Sequence, residues 1–151
     1  MSLRKLTNSG TNCNNYIYFS FDGEYFDPEI ITKELKIEPT SVRLKKDPIP
    51  KSTSWKLRID VGSEIDLATP TENIIKQLEP KIDEIIKLKK DLNLETRLQF
   101  VIDIDINPES STPYFPLNKK IIKFLNQTET EVDFDIYKAD TLGVFKNEKN
   151  T

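Results

Sequence analysis

The chain has 151 residues, of which 31 % are charged, with 22 basic and 25 acidic side chains and a formal net charge of −3. This length suits one domain with a sizeable core, and the small negative charge argues against a nucleic-acid binder, whose affinity comes from neutralising phosphates. The sequence has no histidine and one cysteine, Cys13, which excludes histidine-based catalysis, histidine-based metal sites and an internal disulfide.

The first fifteen residues, 1–15, are polar and lack periodicity, which predicts a flexible arm. No apolar run approaches the roughly 20 residues that cross a bilayer, and the amino-terminal residues lack the apolar block of a secretory signal. We therefore expect no membrane partner and a cytoplasmic location. The remaining pattern predicts one α+β domain over residues 16–145 and a flexible tail over residues 146–151.

Residues 16–21, YIYFSF, alternate between a more apolar and a more polar side, which predicts a half-buried strand. A helix follows, because Asp27 can cap free amide groups and Pro28 suits the first helical position. Ile31 and Leu35 lie four residues apart and therefore share one helical face. The helix is expected to fold back onto the strand.

The next segment predicts two further strands. Val42 and Leu44 alternate with basic residues before a pair of prolines, which indicates a short edge strand. Residues 55–60 alternate apolar and charged side chains, which indicates another one-sided strand. Its first residue, Trp55, is the only tryptophan and is expected in the core, because aromatic side chains bury large areas.

Thr69 and Glu72 match a capping box, which predicts the start of a helix. An apolar stripe then continues on one helical face through Pro80, so a single long helix with a kink is expected at that proline. The residues of the stripe are Ile74, Ile75, Leu78, Ile82, Ile85 and Ile86.

The strongest strand pattern covers residues 98–106, LQFVIDIDI, with every second residue apolar. A loop rich in proline and serine and a third helix ending near Asn126 follow. The alternation of residues 131–137 predicts the last strand. Asp133 and Asp135 are expected on its polar side.

These elements form two strand–helix–strand units joined by the kinked helix. They predict an α+β two-layer sandwich, in which three helices cover one face of a mostly antiparallel sheet of four or five strands, in the style of ferredoxin-like folds. The helical connections leave open that some neighbouring strands are parallel. Because strands buried on both faces are almost continuously apolar, the alternating patterns indicate one uncovered face.

Four features follow one another in the chain: a strand, an Asp-Pro helix start, a Leu-x-Ile-x-Pro-Thr helix exit and a Ser-Trp strand start. This succession resembles an uncharacterised bacterial family, domain of unknown function 4279. The resemblance covers roughly residues 16–137. It implies no activity and no catalytic residue, because none is assigned in that family. The residues that carry it are Asp27, Pro28, Leu35, Ile37, Pro39, Thr40, Ser54 and Trp55.

The uncovered sheet face is the candidate binding site. Tyrosines beside an acidic cluster predict a docking surface for another protein, a basic one in particular, or for a second copy in a homodimer. The predicted function is a non-enzymatic protein-interaction module, with an inhibitor or immunity-type protein as one form. A solvated face that needs no partner is the alternative. The site residues are Tyr16, Tyr18, Lys56, Arg58, Asp103, Asp105, Asp133, Asp135 and Tyr137.

An enzyme or metal-binding function is the second hypothesis. Carboxylates such as those of Asp103, Asp105, Asp133 and Asp135 are hard oxygen ligands that suit Mg²⁺ or Ca²⁺. Open strand faces are wet, however, whereas catalytic carboxylates need a concave and partly dry site. We therefore expect no cofactor and no resident metal, and the sequence assigns no catalytic residue.

Overall fold

The computed structural model describes residues 10–147. Within them, the strands are β1 (Asn15–Gly23), β2 (Ser41–Arg43), β3 (Thr53–Gly62), β4 (Glu95–Asp105) and β5 (Glu131–Ala139). The helices are α1 (Pro28–Leu35), α2 (Ala68–Leu78), α3 (Ile82–Leu92), α4 (Lys119–Gln127) and the short α5 (Val144–Asn147). A 3₁₀ turn, Glu79–Lys81, joins α2 to α3. The predicted α+β class is confirmed.

The strands form one five-stranded sheet in the order β2-β3-β1-β4-β5. The pairs β2–β3, β3–β1 and β1–β4 are antiparallel, whereas β4 and β5 are parallel. The sheet is therefore mixed, with three antiparallel pairs and one parallel pair, and the parallel pairing that the sequence left open occurs between β4 and β5. The physical reason is the crossover through α4, which returns the chain to the end of the sheet where β4 began.

The helices pack on one side of this sheet. Phe19 of β1 is fully buried and contacts Phe124 of α4, with ring centroids 6.1 Å apart. Ile31 of α1, Ile74 of α2 and Ile85 of α3 join the same core cluster. None of the four longer helices contributes a buried residue to the opposite side, which is the uncovered face.

Several local predictions are confirmed. Asp27 Oδ1 accepts a hydrogen bond from the amide of Glu29 at 3.0 Å, and α1 begins at Pro28. Trp55 is fully buried, and its Nε1 donates to Thr32 Oγ1 at 3.0 Å. The kink falls in the 3₁₀ turn that contains the predicted proline, since a proline cannot donate the next helical hydrogen bond.

The predicted capping box is wrong. Asp66 Oδ1 accepts hydrogen bonds from the amides of Ala68 and Thr69 at 2.9 and 3.2 Å, and its Oδ2 accepts from the Thr69 hydroxyl at 2.7 Å. The Thr69 hydroxyl is also the main cause of the lowered pKa of Asp66. An earlier carboxylate thus caps α2, so the helix begins one residue before Thr69 and leaves Glu72 no capping role.

The predicted arm and tail lie partly outside the described residues, which exclude 1–9 and 148–151. From Gly10 onward the chain contacts the body of the protein. The amide of Thr11 donates to the carbonyl of Asp140 at 2.9 Å, and Asn15 is 1 % exposed. At Gly10 a Cβ would lie 2.3 Å from the Thr141 carbonyl oxygen, so only glycine permits this approach.

No helix of the described chain is long and apolar enough to span a membrane.

Candidate interaction face

Two tyrosines lie at the centre of the uncovered face, because β1 is the middle strand of the sheet. The register places Tyr18 between Arg58 of β3 and Gln99 of β4. Tyr16 lies two residues earlier on the same side, and the two tyrosine rings stack with centroids 6.4 Å apart. The central part of the face is therefore aromatic.

Cations of β3 cover both rings. The guanidinium carbon of Arg58 lies 3.5 Å from the centroid of Tyr16, and Lys56 Nζ lies 4.2 Å from the centroid of Tyr18. Both distances are within the range of a cation–π interaction. Arg58 also forms an ion pair with Asp60 on its own strand. The tyrosine rings are thus held in place before any partner binds.

Positive charge accumulates around Lys56. Burial is the main cause of the lowered pKa of Lys56, followed by the charge of Arg43; the charges of Arg58 and Arg97 lower that pKa further, whereas the charge of Asp22 raises it. Burial also raises the pKa of the Tyr18 hydroxyl, with the charge of Asp22 as the next cause. Among the described residues, no carboxylate lies within ion-pair distance of Lys56 Nζ. Arg43, Lys56, Arg58 and Arg97 form what we call the basic cluster.

Negative charge lies at the other edge of the face, on β5. Glu131, Asp133 and Asp135 are exposed and point to the same side as the tyrosines; we call them the acidic margin. Glu131 Oε2 lies 3.7 Å from Arg97 Nη2, where the two regions meet. Tyr137 extends the margin and is 54 % exposed. The face is therefore bipolar, with tyrosines between opposite charges.

The centre of the face is drier than alternation predicts. Ser20, Gln99 and Val101 point away from the helices, yet they are 0 %, 2 % and 7 % exposed. The alternation of residues 98–106 places Gln99 and Val101 on the outward side of β4, where solvent exposure would be expected. The tyrosines and long basic side chains of the neighbouring strands explain their burial, because such side chains lie along the sheet surface and cover the shorter ones.

Two of the predicted acidic site residues, Asp103 and Asp105, accept hydrogen bonds from other parts of the chain. Asp105 accepts hydrogen bonds from the hydroxyls of Thr141 and Ser110 and from the amide of Asn107. The Thr141 hydroxyl is the main cause that lowers the pKa of Asp105 from 3.8 to about 2. Asp103 Oδ2 accepts a hydrogen bond from the amide of Asn14 at 2.7 Å. These carboxylates hold loops and the amino-terminal segment against the end of β4.

The four aspartates considered as metal ligands do not converge. Asp103 and Asp105 line a hollow of about 220 Å³ together with Cys13, whereas Asp133 and Asp135 lie on β5. In residues 10–147 no group of three or more acidic, histidine or cysteine side chains could hold a metal ion. Burial, followed by the charges of Asp105 and Asp103, raises the pKa of the Cys13 thiol, which disfavours the reactive thiolate.

Sequence reasoning missed Arg97. The predicted strand began at residue 98, whereas β4 begins at Glu95 and brings Arg97 opposite Ser20 and Glu131. The usable signal was the alternation of polar residues, which continues backward from Gln99 through Arg97 to Glu95. That signal is weak, because a polar residue before an apolar run is equally typical of a loop.

Comparison with known proteins gives one match. A family model described as Domain of unknown function (DUF4279) matches residues 11–139. This range extends from the segment before β1 to the end of β5, so it contains the whole uncovered face. No curated protein and no solved structure matches the chain.

Proposed function

We propose that this chain, which belongs to the family Domain of unknown function (DUF4279), is a non-enzymatic protein-interaction module that binds another protein through its uncovered sheet face. The observation that supports the proposal is the layout of that face, with paired tyrosines between the basic cluster and the acidic margin. Tyrosine and arginine are enriched in the centres of protein interfaces, whereas a merely solvated face has no need of ordered aromatic rings.

Pre-organisation of the rings favours binding. Tyr16 and Tyr18 are already packed against Arg58 and Lys56, so little side-chain entropy remains to be lost when a partner covers them. The acidic margin adds selectivity, because exposed carboxylates attract a basic surface and accelerate encounter with it. The partner we propose is a protein that places basic side chains over β5 and a flat surface over the tyrosines.

In its most specific form, the proposed module is a cytoplasmic inhibitor or immunity-type protein that covers a basic surface of another protein. The small negative net charge of −3 and the local acidic margin suit such a target. The single cysteine suits the cytoplasm, where disulfides are rare.

A ferredoxin-like relationship is also part of the proposal. It is supported by the antiparallel order β2-β3-β1-β4, with one helix between β1 and β2 and a helical segment between β3 and β4. In this view β5 is an addition beside β4, joined through α4.

A photo-crosslinking experiment tests the binding face. A photoreactive residue replaces Tyr137 on the uncovered face, and in a control chain it replaces Ile122, which is 54 % exposed on α4. In native lysate we expect a discrete adduct at position 137 and none of the same mass at position 122. An excess of the unmodified chain should suppress that adduct, because it occupies the same partner.

A competitor with reversed charge completes the test. The double variant Asp133→Lys, Asp135→Lys should suppress the adduct poorly, since it repels a basic surface. If the variant competes as well as the unmodified chain, or if both positions give the same adducts, the face is not the binding site.

A further inference from the structure

In residues 10–147, no strand pairs with the outer edge of β5. β5 is the last strand of the sheet, it is nine residues long, and every residue from Asp133 to Lys138 is exposed. The backbone N–H and C=O groups along such an edge can pair with a further strand. The opposite edge is different, because β2 has only three residues and is followed by Pro48 and Pro50.

The two sides of this edge have different chemistry. The acidic margin lies toward the uncovered face, whereas Val132, Phe134 and Ile136 lie toward the helices. Phe134 stacks on Phe100 and contacts Phe115, with centroids 5.2 and 5.6 Å away. Phe134 is nevertheless 39 % exposed and Ile136 57 % exposed. The helices thus leave an apolar strip uncovered beside the open edge.

We propose that the outer edge of β5 binds, by strand addition, an extended segment of another protein in which basic and apolar side chains alternate. Side chains alternate between the two faces of a sheet with period two, and laterally neighbouring residues share a face. The basic residues of the segment then lie beside the acidic margin, and its apolar residues extend the strip of Phe134 and Ile136. This inference does not rest on docking at the tyrosine-bearing face, because its main contacts are backbone hydrogen bonds.

A second copy of the chain fits this edge poorly. Antiparallel pairing of β5 with β5 would place the two acidic margins side by side on one face, and like charges in neighbouring strands destabilise a sheet. The β2 edge of a second copy has the matching alternation in Val42, Arg43 and Leu44, but β2 is one third as long as β5. A longer basic and apolar segment is therefore the better occupant.

The test uses capped eight-residue peptides and the full chain labelled with ¹⁵N. A peptide of alternating lysine and valine should bind, shift the amide signals of β5, and protect alternate β5 amides from hydrogen exchange. A peptide of alternating glutamate and valine should not bind. Methylation of every backbone amide nitrogen of the lysine peptide should weaken binding about tenfold or more, since it removes the donors and leaves the charges.

Charge-reversal variants identify the edge. The double variant Asp133→Lys, Asp135→Lys should lose the lysine peptide and gain the glutamate peptide. The control variant is Glu34→Lys, Glu38→Lys. It changes one exposed acidic residue in α1 and one shortly after α1, and it should bind the lysine peptide as well as the unmodified chain does. Equal binding of the methylated peptide, or signal shifts centred on Tyr18 instead of β5, would overturn strand addition. Self-association that is abolished by Arg43→Glu and excludes the peptide would also overturn it, in favour of a second copy.

Discussion

Asp105 connects the end of β4 to two later parts of the chain. Its carboxylate accepts hydrogen bonds from the hydroxyls of Ser110 and Thr141. The Thr141 hydroxyl is the main cause of the lowered pKa of Asp105, about 2. A carboxyl group whose pKa is lower in the folded state stabilises the fold fully above its unfolded pKa of about 3.9. That stabilisation is lost as the pH falls through the pKa that the carboxyl group has in the folded state.

We therefore predict a pH-dependent effect of Asp105→Asn. At pH 6 the variant should unfold at a lower urea concentration than the unmodified chain. The difference between them should shrink as the pH falls from about 4 to about 2, because the unmodified carboxyl group becomes protonated over that range. The control Asp133→Asn changes an exposed carboxylate of β5 and should show no such narrowing. A difference that stays constant with pH would contradict the role of the Asp105 charge.

Single residues show which features the sequence could predict. The cap at Asp27 and the burial of Trp55 were predictable, because each depends on neighbours in the chain and on side-chain type. The cap of α2 was not, because two oxygen-bearing side chains lie within one helical turn and only the structure shows that Asp66 makes the bonds. The partner of Asp105 lies 36 residues later, a separation at which no sequence spacing predicts contact.

At the scale of elements, α4 joins the two parallel strands and closes the core beside β1. Phe124 is 1 % exposed and contacts Phe19, whereas Ile122 in the same helix is 54 % exposed. Both residues belong to the apolar run of the predicted third helix. Four of the five residues 121–125 are apolar, so their spacing alone does not show which face of this short helix is buried.

Substitutions of Phe124 and Ile122 in α4 should differ in their effect on the free energy of unfolding. Phe124→Ala should lower the free energy of unfolding by about 3 to 5 kcal/mol, because it leaves a cavity against Phe19. Ile122→Ala in the same helix should change it by no more than about 0.5 kcal/mol, as is usual for surface positions. Urea unfolding followed by circular dichroism measures both. Equal losses would show that α4 packs through a different face.

The sequence could not predict whether β5 pairs parallel or antiparallel with its neighbour, or how far the helices extend over the sheet. A one-sided strand alternates in the same way whether its neighbour is parallel or antiparallel, so the pattern of residues 131–137 left both pairings possible. Phe134 and Ile136 were correctly placed on the helix side, yet they remain exposed because no helix extends fully over the last strand. Helix position over a sheet depends on loop lengths and packing, which periodicity does not encode.

At the scale of the whole molecule, the bipolar face is complementary to itself. A two-fold axis parallel to the strands, between two faces that meet, brings β3 of one copy over β5 of the other. The basic residues Lys56 and Arg58 then oppose the acidic margin twice, once in each direction. The same layout that suits a basic partner therefore allows a charge-matched homodimer.

Such self-association should depend strongly on salt. Sedimentation velocity should show mass rising with concentration at about 0.01 M salt, where the screening length is about 30 Å, and a monomer at about 1 M, where it is about 3 Å. The variants Asp133→Lys, Asp135→Lys and Lys56→Glu, Arg58→Glu should each be monomeric alone at low salt. Mixed together they should associate again, because each supplies the charge that the other now opposes. A dimer that is insensitive to salt, or a mixture that stays monomeric, would place any self-association outside this face.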